Sequence, residues 1–307
     1  MPAARPRILF VTDLAYPARG RRYGDEDVFL TSRLREEFDL ALCHPRDAAA
    51  LMGAFDAVVV RNSGPVLGYL DAYEEFRARA LATGVPVYNP LTGRGDMAGK
   101  QYLLDLTDAG MPVVPTVGRP EDLHRLPRAD RYVVKPRLGA DSHGLRIVSA
   151  AEASAPADGD VLVQPYVDFA YEVSFYFVDQ DFQYALHAPD PAARWRLEPY
   201  RPGPGDLDFA RRFVEWNTLA HGIQRVDACR APGGELLLVE LEDLNPYLSL
   251  DALDDTTRDA FVAATVASLH RFLGRARAPA AEPAGPRSRI SRRRRLNSRV
   301  RYGRRAM

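Results

Sequence analysis

Apolar and polar positions follow two different rhythms along this chain. Over the first 90 residues, unbroken apolar runs that end in a polar residue, "RILFVTD" and "DAVVVRN", alternate with longer amphipathic segments, "DEDVFLTSRLREEF" and "YLDAYEEFRARALATG". The runs suit parallel strands covered on both faces, and the longer segments suit helices, the second closed by Gly84 as its C-cap. Together they predict a small doubly wound α/β layer over residues 1–92. In such a sheet ligands bind beyond the carboxyl ends of the strands, where Asp13 and Arg61 fall. Both are candidate substrate contacts; solvated turn residues are the plainer reading.

From residue 96 the rhythm changes. A helix, "DMAGKQYLLDLTDAG", leads into "MPVVPTV", "RYVVKP", "GLRIVS" and "DVLVQPYV", short runs parted by turn residues and therefore expected as antiparallel strands. Next come "YEVSFYFVDQDFQYALH", a hairpin about Asp179 and Gln180, and a helix, "DLDFARRFVEWNTLAHG". Two strands, "IQRVDACR" and "ELLLVELEDLNP", joined at "APGG", and a last helix over about 251–274 complete the pattern. The expected divisions are 1–92, 93–166, 167–275 and 276–307, with no internal repeat.

Charge alters this picture at one end. The chain is neutral overall, with 41 basic and 41 acidic residues, yet residues 287–307 hold ten Arg and no acid. That leaves 31 basic against 41 acidic residues upstream. The Arg-rich tail follows a Pro/Ala-rich linker and has too few apolar residues to fold alone. It reads as a polyanion-binding arm or as a disordered extension. No run approaches the ~18 apolar residues of a membrane span, and no extended apolar segment precedes the first strand, so a cytoplasmic, soluble protein is expected. Two cysteines, Cys43 and Cys229, give neither a disulfide framework nor a zinc spacing.

The candidate chemistry starts from lysine. Only two of the 41 basic residues are Lys, Lys100 in "GRGDMAGKQYLL" and Lys135 in "YVVKPRLGADSHGL". A compact ammonium serves where a planar guanidinium does not. Lys135 ends a strand, and the glycine-bearing loop after it has the composition to fold over a polyphosphate, with backbone N–H groups and the Ser142 hydroxyl as donors. It is not a Walker loop. Near the ends of two paired strands stand Asp227, Glu240 and Glu242, the last two sharing a strand face. Carboxylates gathered at one spot repel unless a cation sits among them, and hard oxygens in this number suit Mg²⁺. Arg225 shares the face of Asp227 and would stabilise charge developing in a transferring group.

At this point the residues resemble a known family. "YVVKPRLGADSHGL", "VLVQPYVDFAYEVSFYFV", "RVDACR" and "LLLVELEDLNP" follow in the order and spacing of ATP-grasp enzymes, and "FDAVVVRNS" with "YNPLTGRGDMAGKQYLLDLTDAGMPVVPT" is most similar to the RimK-type, glutathione synthetase-like carboxylate-amine ligases. The resemblance runs from about residue 8 to 272. It implies an ATP-grasp fold, α/β (α+β): an N-terminal doubly wound α/β domain and two α+β subdomains clasping ATP between antiparallel sheets.

Residue by residue, the resemblance implies that Lys100 and Lys135 contact ATP phosphates and that Gly139, Ser142, His143 and Gly144 lie in the lid. It further implies that Gln164 meets the adenine amino group, that the backbone at Tyr166 and Val167 holds the adenine edge, and that Glu172 binds the ribose. Asp227, Glu240 and Glu242 would ligate Mg²⁺, or Mn²⁺ in its place. The family has Glu-x-Asn where this chain has Glu240-Leu-Glu242, so a register using Asp243-Leu-Asn245 stays open, with Asn245 a further candidate ligand. Lys135 and Arg225 are the implied catalytic residues.

The implied activity joins a small-molecule carboxylate to an amine, amino acid or peptide, through an acyl phosphate, with ATP converted to ADP and phosphate. A phosphotransferase acting on a hydroxyl, and a nucleotide-responsive nucleic-acid binder using the tail, are the alternatives. Substrate loops are expected at 15–27 and 187–206, and a homodimer is compatible with the resemblance.

Overall fold

Strand β1 (Arg7–Val11) buries four consecutive side chains, Ile8 to Val11, so it needs cover on both faces. The computed structural model describes residues 4–18, 21–61, 66–139, 144–155, 159–190, 193 and 196–277. After β1 come two short strands, β2 (Pro17–Ala18) and β3 (Arg21–Arg22), then α1 (Tyr23–Leu34), β4 (Asp39–Cys43), α2 (Ala48–Leu51), β5 (Ala57–Val60), α3 (Leu70–Thr83) and β6 (Val87–Tyr88). A parallel sheet forms in the order β4-β1-β5-β6. Leu9, Val11, Val58 and Val60 pack on one face against Ala49 of α2 and Tyr73, Phe76 and Ala80 of α3. Ile8, Phe10, Ala57 and Val59 pack on the other against Leu30 and Leu34 of α1. This is the doubly wound layer the apolar runs predict, with Gly84 as the left-handed cap of α3.

The next elements are α4 (Gln101–Asp108), β7 (Arg131–Pro136), β8 (Arg146–Ser149), α5 (Ala150–Ala153) and β9 (Val161–Pro165), the strands forming a small antiparallel sheet β8-β7-β9. Tyr132, Val134 and Val163 form its own core with Ala153 of α5. The opposite face carries Lys135 paired with Leu162 and Val133 paired with Gln164. Two expectations are corrected here. The helix expected from residue 96 starts only at Gln101, because Asp96–Ala98 is a 3-10 turn and Gly99 takes φ 76°, a conformation that favours glycine. "MPVVPTV" is no strand of the small sheet: Val113 bridges to Leu238 and Val117 to Val163, with Pro112 and Pro115 unable to donate to a ladder. It straps one sheet to another.

The remaining elements are β10 (Tyr171–Val178), β11 (Asp181–Ala188), β12 (Glu198–Pro199), α6 (Pro204–Asn217), β13 (Ile223–Arg230), β14 (Leu236–Glu242) and α7 (Asp255–Arg277). They build an antiparallel sheet of order β12-β11-β10-β13-β14, its first hairpin turning at Asp179 and Gln180 with Asp179 at φ 56°. One face, with Val173, Phe175, Phe177, Val226 and Leu238, packs on α4 and α6. From the other, Tyr176, Val178, Tyr184 and Ile223 join Ile8, Phe10 and the α7 residues Phe261, Leu269 and Phe272 in one core. That shared core ties the parallel layer to the large sheet, and Met1–Ala276 form one compact unit. The Arg-rich stretch 287–307 lies outside the described residues.

Candidate functional site

The site begins with a break in alternation. On β14 Leu236 and Leu238 face the core beside α4 and α6, and strict alternation would send Glu240 after them. Instead Val239 is a bulge: Ala228 pairs with Leu238, but Asp227 pairs with Glu240 and Arg225 with Glu242. Leu241 therefore takes the core position, and Glu240 and Glu242 turn to the face of Arg225 and Asp227. Carboxylate oxygens of Asp227, Glu240 and Glu242 lie within 4.8 Å of one another, the one such cluster of three potential metal ligands among the described residues.

Three cations meet these acids. The Lys100 ammonium donates to Glu240 Oε1 from the start of α4, held there by its backbone N–H to the Arg137 carbonyl at 2.9 Å. Arg225 donates Nε and Nη2 to Asp227 at 2.8–3.1 Å and Nη2 also to Glu242. Lys135, buried on the facing sheet, adds its positive field to Glu240. Burial opposes the Glu240 charge, yet Lys100 and Lys135 outweigh it and hold the carboxyl at about 2. Glu242 moves the other way: burial, then Asp227, Asp96 and Glu240, raise it although Arg225 lowers it. Three carboxylates thus stand against three fixed cations, and their hard oxygens, gathered this closely, could hold a divalent cation.

Behind the trio, the loop after β14 is held from two sides. Arg225 Nη1 donates to the Tyr247 carbonyl at 2.8 Å. From the parallel layer, Arg61 Nη1 donates to the Pro246 carbonyl at 2.6 Å, and Glu26 accepts the amides of Leu248 and Ser249 at 3.0–3.1 Å. Arg61 also pairs with Glu26 at 2.7 Å and Asp27 at 3.1 Å.

No family model matches the chain. It is 29% identical over 194 residues to the cycloserine biosynthesis protein DcsG of Streptomyces lavendulae, with the match covering 51% of this chain and 64% of that protein. The crystal structure of the D-cycloserine synthetase DcsG superposes with a TM-score of 0.65 at 22% identity, covering 87% of this chain and 99% of that one. The ATP-grasp ligase PsnB, solved with a precursor variant, Mg and ADP, gives 0.58 at 19% identity, covering 86% and 99%. D-alanine–D-alanine ligase from Bacillus anthracis, complexed with ATP, gives 0.58 at 11% identity, covering 88% and 99%. The fold is ATP-grasp.

Within this ATP-grasp frame the other sequence-derived residues can be located. Gly139 and Gly144 border residues 140–143, where the resemblance places a lid. At Gly144, with φ 74°, a Cβ would stand 2.9 Å from the Pro136 ring, so a side chain is excluded twice over. Ser142 and His143 lie outside the described residues. Gln164 is buried, and its amide nitrogen is already committed, to Thr116 Oγ1 at 2.8 Å and the Val114 carbonyl at 3.3 Å. The Tyr166 N–H is likewise taken by the Arg131 carbonyl at 2.9 Å, while Arg131 stacks on its ring at 3.9 Å. Val167 follows it, and Glu172 is the second residue of β10, on the face that carries Asp227.

Two of the other expectations need correction or a choice. Arg61 is no open substrate contact: its side chain is 4% exposed and all three nitrogens are engaged inside the protein. Asp13 lies in a turn, accepting the Ala15 amide at 3.0 Å. Of the two registers left open on β14, Asp243 is excluded as a ligand-facing group. It is fully buried and accepts the amides of Gly95 and Met97 and the Asn217 side chain, and burial with its neighbour Asp96 pushes it up to about 8. Asn245 lies beyond it, on the wall of a cavity shared with Lys100.

Glu26 and Asp27 carry no signal in the sequence. Glu26 lies in the first turn of an amphipathic helix, where acids are ordinary, and Asp27 follows it. Only the fold shows them buried, facing a strand-end arginine.

Proposed function

We propose that this chain is an ATP-dependent carboxylate-amine ligase working through an acyl phosphate. One observation carries the reading: Lys100, Lys135 and Arg225, from three separate elements, gather on the Asp227, Glu240 and Glu242 trio. The donor set fits magnesium: three carboxylates, all hard oxygens, gathered within 4.8 Å of one another. Asp227, Glu240 and Glu242 would hold it, and bound magnesium would supply charge neutralisation on the phosphates.

The chain's own groups do the remainder. Lys100 and Lys135, both buried, offer fixed charge to phosphate oxygens from the α4 start and the small sheet. Arg225, whose burial-opposed charge is secured by Asp227 and Glu242, stays cationic and stabilises the oxygens of the transferring group. A substrate carboxylate oxygen attacks the γ-phosphorus and ADP leaves; the amine nitrogen then attacks the acyl carbon, phosphate leaves, and the nitrogen gives up its proton. Glycines bordering the lid permit closure over the intermediate, which water would otherwise hydrolyse. The names of the structural neighbours, a D-cycloserine synthetase, an ATP-grasp ligase and D-alanine–D-alanine ligase, support bond formation driven by ATP.

The test is an ADP-release screen with Mg²⁺ over pairs of carboxylates and amines, amino acids and dipeptides included, followed by product mass. Hydroxylamine should trap an acyl hydroxamate. ADP release with a phosphorylated hydroxyl product and no hydroxamate would replace the ligase with a kinase.

A further inference from the structure

Asp243 points away from the metal ligands, and the turn that precedes Lys100 folds around it. The exchange is reciprocal. Asp243 accepts the Gly95 amide at 2.9 Å and the Met97 amide at 2.8 Å, while Asp96, from the same turn, accepts the Asp243 and Leu244 amides through Oδ1 at 2.6 and 2.9 Å. Each carboxylate grips the other's backbone. Asn217, at the end of α6, closes the clasp by donating to Asp243 at 2.9 Å and accepting the Arg94 amide at 2.6 Å.

The turn is cut to fit. At Gly95 a Cβ would stand 2.7 Å from the Leu241 carbonyl oxygen and 2.9 Å from the Asp243 carboxyl carbon, and at Gly93 it would collide with Asp243 Oδ2. A second tie follows Lys100: the Leu241 amide, between Glu240 and Glu242, donates to the buried Tyr102 hydroxyl at 3.0 Å. Lys100 is thus bracketed by Asp96 and Tyr102, and both ties end on β14 or the turn after it. Stability alone accounts poorly for the choice of groups. A buried carboxylate set beside Glu240 and Glu242 is repelled by them, and apolar side chains would hold a turn to a strand end at lower cost. What acids aimed at amides supply is direction.

We propose that Asp96, Asp243 and Tyr102 are positioning residues: they dock the start of α4 on the metal-ligand strand, so that the flexible Lys100 stem reaches the nucleotide phosphates from one fixed origin. The assignment rests on the phosphate role that the ligase reading gives Lys100.

A double-mutant cycle on the full chain tests it, read by calorimetric titration with MgATP and with adenosine. Lys100→Ala is expected to weaken MgATP binding by about 10- to 100-fold and Asp96→Ala by about tenfold. The double variant should bind no more weakly than Lys100→Ala alone, because without the ammonium its placement no longer matters. Adenosine, which has no phosphate, should bind all of them alike. Asp96→Asn, whose side-chain oxygen still accepts both amides, should stay within about threefold of wild type. Tyr102→Phe keeps the volume, should cost roughly two- to fivefold, and carries the test should Asp96→Ala not fold. Three results would overturn the proposal: MgATP affinity unchanged in both Asp96→Ala and Tyr102→Phe, additive losses in the double variant, or adenosine weakened in parallel with MgATP, as a purely structural role predicts. Unchanged MgATP affinity in Lys100→Ala would remove the phosphate role of Lys100 as well.

Discussion

A buried ammonium is expensive unless its charge is used, and this chain keeps two, Lys100 at 5% and Lys135 at 6% exposure. Their rarity in an arginine-rich sequence makes them legible from composition alone. Lys135→Ala should weaken MgATP binding by about 10- to 100-fold, from ~1.5–3 kcal/mol for a hydrogen bond to a charged group, as read by calorimetry. Glu26 is not legible, because nothing local separates a buried helix-start acid from a solvated one. Burial lifts it from 4.5 to about 8, outweighing Arg61. A folded-state pKa above the unfolded one gives stability that is complete below the unfolded value and lost as pH rises through the folded one. The melting temperature of the wild type should therefore fall between about pH 5 and about pH 8 more steeply than that of Glu26→Gln. Parallel curves would show that Glu26 does not titrate in that range.

At the scale of elements, periodicity identifies the parallel strands, the helices of the first layer and the Asp179–Gln180 hairpin, since each repeats one pattern long enough to be read. It also puts Glu240 and Glu242 on one face. What it cannot supply is the register against Asp227, because a bulge is a single extra residue whose signature is a lost alternation, here Leu236, Leu238, Leu241. Deleting Val239 removes that extra residue and should leave a regular strand with Leu238 and Leu241 still in the core and Glu240 and Glu242 still beside Asp227, so Mg²⁺-dependent nucleotide binding, read by calorimetry, should survive. Glu240→Leu combined with Glu242→Leu should abolish that binding in either background. The start of α4 is misread for a related reason: Gly99 interrupts a helical pattern that otherwise continues through Lys100.

Across the whole molecule, the alternation of strands and helices foretells the three larger sheets, and their order along the chain resembles that of ATP-grasp proteins, the fold that superposition shows. Contacts between layers are invisible in the sequence, because they join residues more than a hundred positions apart. Asn89, beside β6, shows how much hangs on one such contact. Its side chain donates to the carbonyls of Ile223 and Asp243 at 2.6 and 2.5 Å and accepts the Ile223 amide at 2.8 Å, fixing the starts of β13 and the turn after β14. Asn89→Ala leaves those buried groups unpaired and should cost ~2–4 kcal/mol in chemical denaturation, with both sheets melting in one transition.

The segment Pro246–Ser249 imposes a rule on anyone recombining this protein. Its peptide groups are gripped by Glu26 and Arg61 on one side and Arg225 on the other. A chimera that takes its first 92 residues from another donor inherits a foreign grip, and Arg225 then leans on an unsecured carbonyl. Successful grafts will be those that transplant the acid and the guanidinium together with the backbone they hold.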